Sequence, residues 1–209
     1  MIVIGLSSSR VESKKIFTFL NKEDHSKINF ESDLKNISWK DSENIIIKRI
    51  KTLEKSLYNN VSNSKNQFKL TGEVGFYFLP YVELLIKNFP YLKFICTNKN
   101  KKKIYYDLLS EIKTNENFFL RFLFFKKKYK NFFINHNGAK WEKDFILDKC
   151  YPKFQTDSLE KCIEKYIDTY YSTLKFLQRK YPKNLKLFYS DELKSEYGKK
   201  NIFKFIGVK

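Results

Sequence analysis

The residues best suited to chemistry lie near the start of the chain, where a short apolar run gives way to hydroxyl and cationic side chains. The candidate ligand-binding residues of this turn are Gly5, Ser7, Ser8, Ser9, Arg10 and Lys14. An amphipathic helix follows the turn, so free backbone N–H groups and the positive end of the helix dipole meet at one point. No Walker-type Gly-Lys-Ser/Thr ending is present. The turn is therefore either a phosphate-binding cradle or a plain capped strand–helix junction.

The charge of the chain favours an anionic partner. Its 209 residues carry a formal net charge of +18, which attracts nucleic acid, an acidic membrane face or a nucleotide with several phosphates. Lys, Asn, Ile, Phe and Tyr are all abundant, a composition that AT-rich coding also produces. The length suits a single domain spanning residues 1–209.

Cysteine and histidine usage favours a reducing compartment. The three cysteines, Cys96, Cys150 and Cys162, form no C-x-x-C pair, and there are only two histidines. We therefore expect neither a disulfide framework nor a metal site. No apolar run is long enough for a signal peptide or a membrane span, which predicts a cytoplasmic protein.

Strand and helix patterns alternate along the chain. Predicted strands cover residues 1–6, 27–30, 68–74, 92–97 and 185–189. One intervening helix is expected to begin at Pro80, and the longest at a capping box formed by Asp157 and Glu160. This alternation predicts an α/β fold with a parallel central sheet flanked by helices. Because ligands bind at the carboxyl ends of such strands, the turn after Gly5, the Gly72-Glu73 segment and the 97–99 exit should share one rim.

A phenylalanine-rich stretch interrupts this alternation. It covers residues 117–125, is followed by three lysines, and lies in a predicted helical insertion at about 115–135. One interpretation is a basic-aromatic surface for nucleic acid or lipid headgroups. The other, which we favour, is a buried helix with cations at its carboxyl end.

Several segments resemble the sulfotransferase family. Residues 72–83 and 88–96, followed by a basic helix start, resemble the middle of these enzymes, which have a P-loop NTPase-like α/β fold. Residues 138–145 and 148–154 resemble short sulfotransferase-like proteins of microbes and their viruses. The resemblance implies 3′-phosphoadenosine 5′-phosphosulfate (PAPS) as donor of a sulfuryl group. The acceptor would be a hydroxyl or amine on a small molecule or glycan.

The resemblance also implies where the donor would bind. Gly5, Ser8 and Ser9 fall on the Gly, Arg and Ser positions of the family's loop for the 5′-phosphosulfate, and Arg10 replaces the second glycine. Lys99 falls on the arginine that contacts the 3′-phosphate. Asp107 falls on the serine that shares this contact, and Ser110, one turn further along, could replace that serine.

Two residues are candidates for the catalytic base. Glu73 lies at the end of the third predicted strand, where the family resemblance places a His or acidic base, and His136 is the second candidate. Two other functions stay open. One is a sulfotransferase-like protein that has lost catalysis, because of Ser8 and Asp107, and the other is a basic nucleic-acid-binding protein.

Overall fold

Five parallel strands form one central sheet. The structure, a computed structural model, describes residues 1–59, 68–114, 130–136, 141–156 and 158–208. The strands are β1 (Ile2–Leu6), β2 (Ser26–Phe30), β3 (Leu70–Val74), β4 (Lys93–Asn98) and β5 (Leu185–Tyr189). Their order across the sheet is β2-β3-β1-β4-β5, with every neighbouring pair parallel. The predicted α/β fold is confirmed, and the architecture is consistent with a P-loop-like α/β fold.

Helices cover both faces of the sheet. They are α1 (Arg10–Leu20), α2 (Glu43–Asn59), α3 (Val82–Asn88), α4 (Lys101–Thr114), α5 (Leu159–Lys180) and α6 (Glu196–Ile206). One face packs against α1 and α6, and the other against α2, α3, α4 and α5. Within the described part of the chain, every helix is too short or too polar to cross a lipid bilayer.

The central strand β1 is buried on both sides, which explains its continuous apolar sequence. Its side chains alternate between the two cores: Ile4 packs into the larger one and Val3 into the smaller one. Gly5 allows α1 to approach closely, because a Cβ there would lie 2.8 Å from both Ile16 and Val74. Glycine at this position therefore brings α1 down onto the sheet.

The helix predicted to begin at Pro80 begins later. Residues Phe76–Tyr81 form a 3-10 helix that contains Pro80, and α3 follows from Val82. The apolar side chains of this turn, Phe76 and Tyr77 among them, are buried under the sheet. Their burial holds the chain in the tighter 3-10 turn before the α-helix begins.

The cap of the longest helix also differs from the prediction. Ser158 is the N-cap of α5, and its hydroxyl accepts the backbone N–H of Lys161 at 3.3 Å. Asp157, the predicted cap, lies outside the described residues. Glu160 accepts a hydrogen bond from the Ser158 hydroxyl at 3.0 Å, so the acidic half of the predicted box lies beside the true cap.

Only the end of the predicted insertion is described, and it is part of the core. Phe132 and Phe133 are buried against Tyr151, and their ring centroids lie 5.6 and 5.0 Å, respectively, from that of Tyr151. The phenylalanine-rich stretch at 117–125 lies outside the described residues.

Candidate functional site

The order in which strands are added to the sheet changes side at β1, with β2 and β3 on one side and β4 and β5 on the other. Strand β1 lies between β3 and β4, and the helices that follow β1 and β4 pack on opposite faces of the sheet. This arrangement opens a crevice at the carboxyl ends of the two strands, where ligands of open α/β sheets bind. Leu6 is in register with Cys96, so the Ser7–Ser9 turn and the exit of β4 are adjacent. Two of the three segments predicted to share a rim are thus adjacent, whereas Gly72 and Glu73 lie within β3, opposite Val3 and Ile4 of β1.

Tyr171 of α5 ties the two loops of this rim together. Its hydroxyl donates to the carbonyl of Thr97 at 3.3 Å and lies 3.3 Å from the Ser8 hydroxyl. Burial raises the pKa of Tyr171 to about 12, so the phenol keeps its proton at neutral pH.

The serine turn is closed to solvent. Ser7, Ser8 and Ser9 are all buried. The Ser7 hydroxyl lies 2.5 Å from that of Ser13, while Ser9 caps α1 by accepting the N–H of Glu12 at 3.3 Å. These hydroxyl groups, predicted to contact a phosphate, are therefore satisfied within the protein.

A carboxylate of the protein itself lies at the amino end of α1. Glu111, on α4, accepts the backbone N–H of Val11 at 3.2 Å. This is one of the groups that an anion would contact at a helix amino terminus. Burial raises the pKa of Glu111 to about 7, with the nearby Glu31 adding to the shift. The amino end of α1 is thus capped by Ser9 and contacted by Glu111, and its role as a phosphate-binding cradle stays a prediction.

Arg10 also has an internal partner. Its Nε lies 2.6 Å from a carboxylate oxygen of Glu31, whose side chain is only 2% exposed. Burial raises the pKa of Glu31 although Arg10 opposes this shift. Lys14, the other cation predicted at this turn, is exposed on the outer side of α1.

Lys99 is held between two carboxylates. Its Nζ lies 2.6 Å from Asp107 and 3.1 Å from Glu12. Burial alone would lower the pKa of Lys99, but the hydrogen bonds that it donates to these carboxylates leave the pKa above its ordinary value. Glu12 also accepts hydrogen bonds from Lys15 at 2.6 Å and from the Ser190 hydroxyl at 2.8 Å. Asp107 thus forms an ion pair with Lys99.

A lysine-lined pocket opens beside Lys99, at the carboxyl ends of β4 and β5. Its volume is about 540 Å³, within the range of small-molecule sites. The pocket is lined by Lys15, Asn98, Lys99, Asn100, Lys103, Tyr189, Ser190, Asp191 and Lys194. Neither Lys103 nor Lys194 forms an ion pair among the described residues, and Tyr189 is 69% exposed. The lysine-lined pocket can therefore accept a phosphate group beside an aromatic surface.

Sequence reasoning found only part of this pocket. It singled out Lys14, whereas Lys15 faces the pocket because it lies three residues after Glu12 on the same side of α1. Ser110 is exposed on α4 and lies outside the pocket lining. The spacing of Lys99 and Lys103 at the basic helix start was the available signal for a cationic wall.

Glu73 is part of a buried ion pair. Its carboxylate accepts hydrogen bonds from Arg49 at 2.6 and 3.2 Å, from the Tyr77 hydroxyl at 2.5 Å and from the Ser32 N–H at 3.2 Å. Burial raises the pKa of Glu73, and Arg49 opposes the shift. Both oxygens are engaged, so the observed contacts are structural, and the role of base stays a prediction.

His136 lies in a second buried polar cluster. Its Nε2 is 3.1 Å from Asp148 and 3.0 Å from the carbonyl of Asn131. The side chain is 10% exposed and lies outside the lining of the lysine-lined pocket. Its catalytic role also stays a prediction. Among the residues described, no cluster of His, Cys, Asp or Glu is suited to hold a metal ion.

No family model matches the chain, and no curated protein matches it significantly. The resemblance to sulfotransferases therefore stays a prediction from the sequence. The geometry of the site described above does not depend on it.

Proposed function

We propose that this protein binds a phosphorylated nucleotide of the PAPS type in the lysine-lined pocket, as a sulfotransferase-like protein that has lost sulfuryl transfer. The observation that carries the proposal is the pocket itself. It joins Lys99, Lys103 and Lys194 to an exposed aromatic ring at the rim where α/β sheets bind ligands.

The chemistry of the pocket suits a phosphate. Lysine ammonium groups hold phosphate oxygens through charge-assisted hydrogen bonds, and several of them offset the charge of a dianion. The exposed ring of Tyr189 offers a flat apolar surface for a purine base. The amide side chains of Asn98 and Asn100 add hydrogen-bonding groups that suit a ribose or base.

The two ends of PAPS fit the site unequally. The lysine-lined pocket suits the bisphosphate part. The amino end of α1, which the family resemblance assigns to the phosphosulfate, already holds Glu111, and Arg10 is paired with Glu31. A second anion there would face carboxylates, which repel it. This mismatch supports binding without transfer.

A PAPS-dependent sulfotransferase is the second candidate function. One observation favours it: the two loops assigned to the ends of the donor lie side by side on one rim, joined by Tyr171. Activity would require Glu111 to leave the amino end of α1. The acceptor, a small molecule or glycan, is part of this candidate.

The proposal places the protein in the cytoplasm. The supporting observation is that Cys96, Cys150 and Cys162 are all free, buried thiols, as is usual in a reducing compartment.

Thermal unfolding with added ligand tests the proposal. Adenosine 3′,5′-bisphosphate should raise the melting temperature in a concentration-dependent manner, because a ligand that binds only the folded state stabilises it. Adenosine is the control for the base and ribose alone. In parallel, PAPS carrying radiolabelled sulfate is offered with a panel of acceptors.

The outcomes separate the candidates. Stabilisation by the bisphosphate without label transfer supports the proposal, and label transfer supports the second candidate. Stabilisation by single-stranded DNA but not by the bisphosphate contradicts both and favours a nucleic-acid-binding protein.

A further inference from the structure

We infer that α4 carries a built-in substitute for the ligand, with Asp107 and Glu111 occupying the two anion positions until a ligand displaces them. This inference rests on the proposed function, because it concerns the same rim. It states how access to that rim is controlled.

The first contact closes the phosphosulfate position. Glu111 accepts the N–H group of Val11 at 3.2 Å, a group that an oxyanion would use at the amino end of α1. The next N–H of this turn, that of Glu12, is capped by Ser9. Two hydrogen-bond donors of the first turn of α1 are therefore occupied by side chains of the protein.

The second contact closes the 3′-phosphate position. Asp107 lies 2.6 Å from Lys99, the cation that the family resemblance assigns to the 3′-phosphate. The Asp107 side chain is 21% exposed, so a ligand entering from solvent can reach this ion pair.

The spacing of the two carboxylates allows them to act together. Asp107 and Glu111 are four residues apart on α4, so they lie one turn apart on one side of the helix, about 6 Å from each other. One rigid element thus presents two negative charges to two anion positions.

The groups around Glu111 favour its release at lower pH. Arg10 from α1 attracts the ionised carboxylate and Glu31, after β2, repels it, while the buried phenols Tyr151 and Tyr166 add no compensating charge. The pKa of Glu111 is raised to about 7, mainly by burial, so mild acidification neutralises the carboxylate. A neutral carboxyl group is held less strongly by the helix dipole and by Arg10.

Isothermal titration with adenosine 3′,5′-bisphosphate tests the inference on the full chain. The variants are Glu111→Gln, Asp107→Asn and the double variant. Asp168→Asn is the matched control, because it removes one negative charge from a carboxylate that is 64% exposed. We expect each α4 variant to bind the bisphosphate about tenfold more tightly than the wild type, because one carboxylate that competes with the ligand has lost its charge. The control should change affinity less than about twofold.

The pH dependence of anion binding is measured with inorganic sulfate, because the charge of sulfate does not change near neutral pH. Wild-type affinity for sulfate should rise from about pH 8 to about pH 6, and Glu111→Gln should remove most of this rise. Circular dichroism melting checks that each variant is folded.

If the wild type binds the bisphosphate and neither Glu111→Gln nor Asp107→Asn binds it more tightly, the inference is overturned and the proposed function stands. Binding of the bisphosphate about tenfold more tightly by the α4 variants than by the wild type supports the inference. Absence of binding by every folded variant overturns the inference and the proposed function together.

Discussion

Glu111 accepts a hydrogen bond from the backbone N–H of Val11 at 3.2 Å, so a carboxylate of α4 closes the amino end of α1. One hundred residues separate the two partners along the chain. The contact joins α1, which follows β1, to α4, which follows the neighbouring strand β4. It fills the position where a phosphate would bind in a P-loop-like fold.

This carboxylate should make stability depend on pH. The pKa of Glu111 is raised to about 7 in the folded protein by burial, whereas the unfolded chain has the ordinary value near 4.5. The folded state therefore binds the proton more tightly, and the resulting stability is complete below about pH 4.5 and is lost as the pH rises through 7. Urea unfolding of the wild type and of Glu111→Gln between about pH 5 and pH 8 measures how the free energy of unfolding depends on pH. This free energy should fall less steeply with pH in the variant. Equal pH dependence in the two proteins would refute the raised pKa of Glu111.

The ion pair of Glu73 and Arg49 should be a major source of stability. Replacing either partner leaves an uncompensated buried charge, so Glu73→Ala and Arg49→Ala should each lower the free energy of unfolding by about 3 kcal/mol or more. The double variant should lose much less than the sum of the two. Chemical denaturation of all three variants measures the coupling.

The same variant tests the catalytic hypothesis for Glu73. Should the protein transfer sulfuryl groups and Glu73 be the base, Glu73→Ala would lower turnover at least about a hundredfold with little change in donor affinity. Near-normal turnover in folded Glu73→Ala would remove Glu73 from the mechanism.

Gly72 should tolerate no side chain. It is in register with Val3 in the β1–β3 pair, and a Cβ at this position would lie 2.1 Å from the backbone oxygen of Val3. Because backbone cannot move without breaking the ladder, Gly72→Ala should cost about 2 kcal/mol or more of stability. Lys27→Ala, at an exposed site on β2, is the control and should change stability by less than about 0.5 kcal/mol. A Gly72→Ala protein as stable as this control would show that the register is wrong.

Local patterns in the sequence predicted the framework of the site. The apolar runs of β1 and β4 and the basic start of α4 indicated a parallel sheet and a common rim, because each pattern reflects burial within one element. The helix starts were less certain. Pro80 lies within a 3-10 turn and Ser158 caps α5, since tertiary packing decides between neighbouring candidates.

The contacts that decide the chemistry of the site join residues far apart in sequence. Glu111 meets Val11, Arg10 meets Glu31, and the pocket joins Lys15 to residues near both β4 and β5. A carboxylate on a helix is ordinarily a solvated surface group, so its sequence position carries no sign that it fills an anion site.

Binding to the lysine-lined pocket is measured most directly by titrating adenosine 3′,5′-bisphosphate into the wild type, Lys103→Glu/Lys194→Glu and a matched control. The control is Lys48→Glu/Lys51→Glu, which makes the same charge change on the exposed side of α2, away from the pocket lining. We predict wild-type binding that weakens as salt increases, a loss of about tenfold or more in the pocket variant, and near wild-type affinity in the control. Equal affinity in the pocket variant and the control, or no binding by the wild type, would contradict the proposed function.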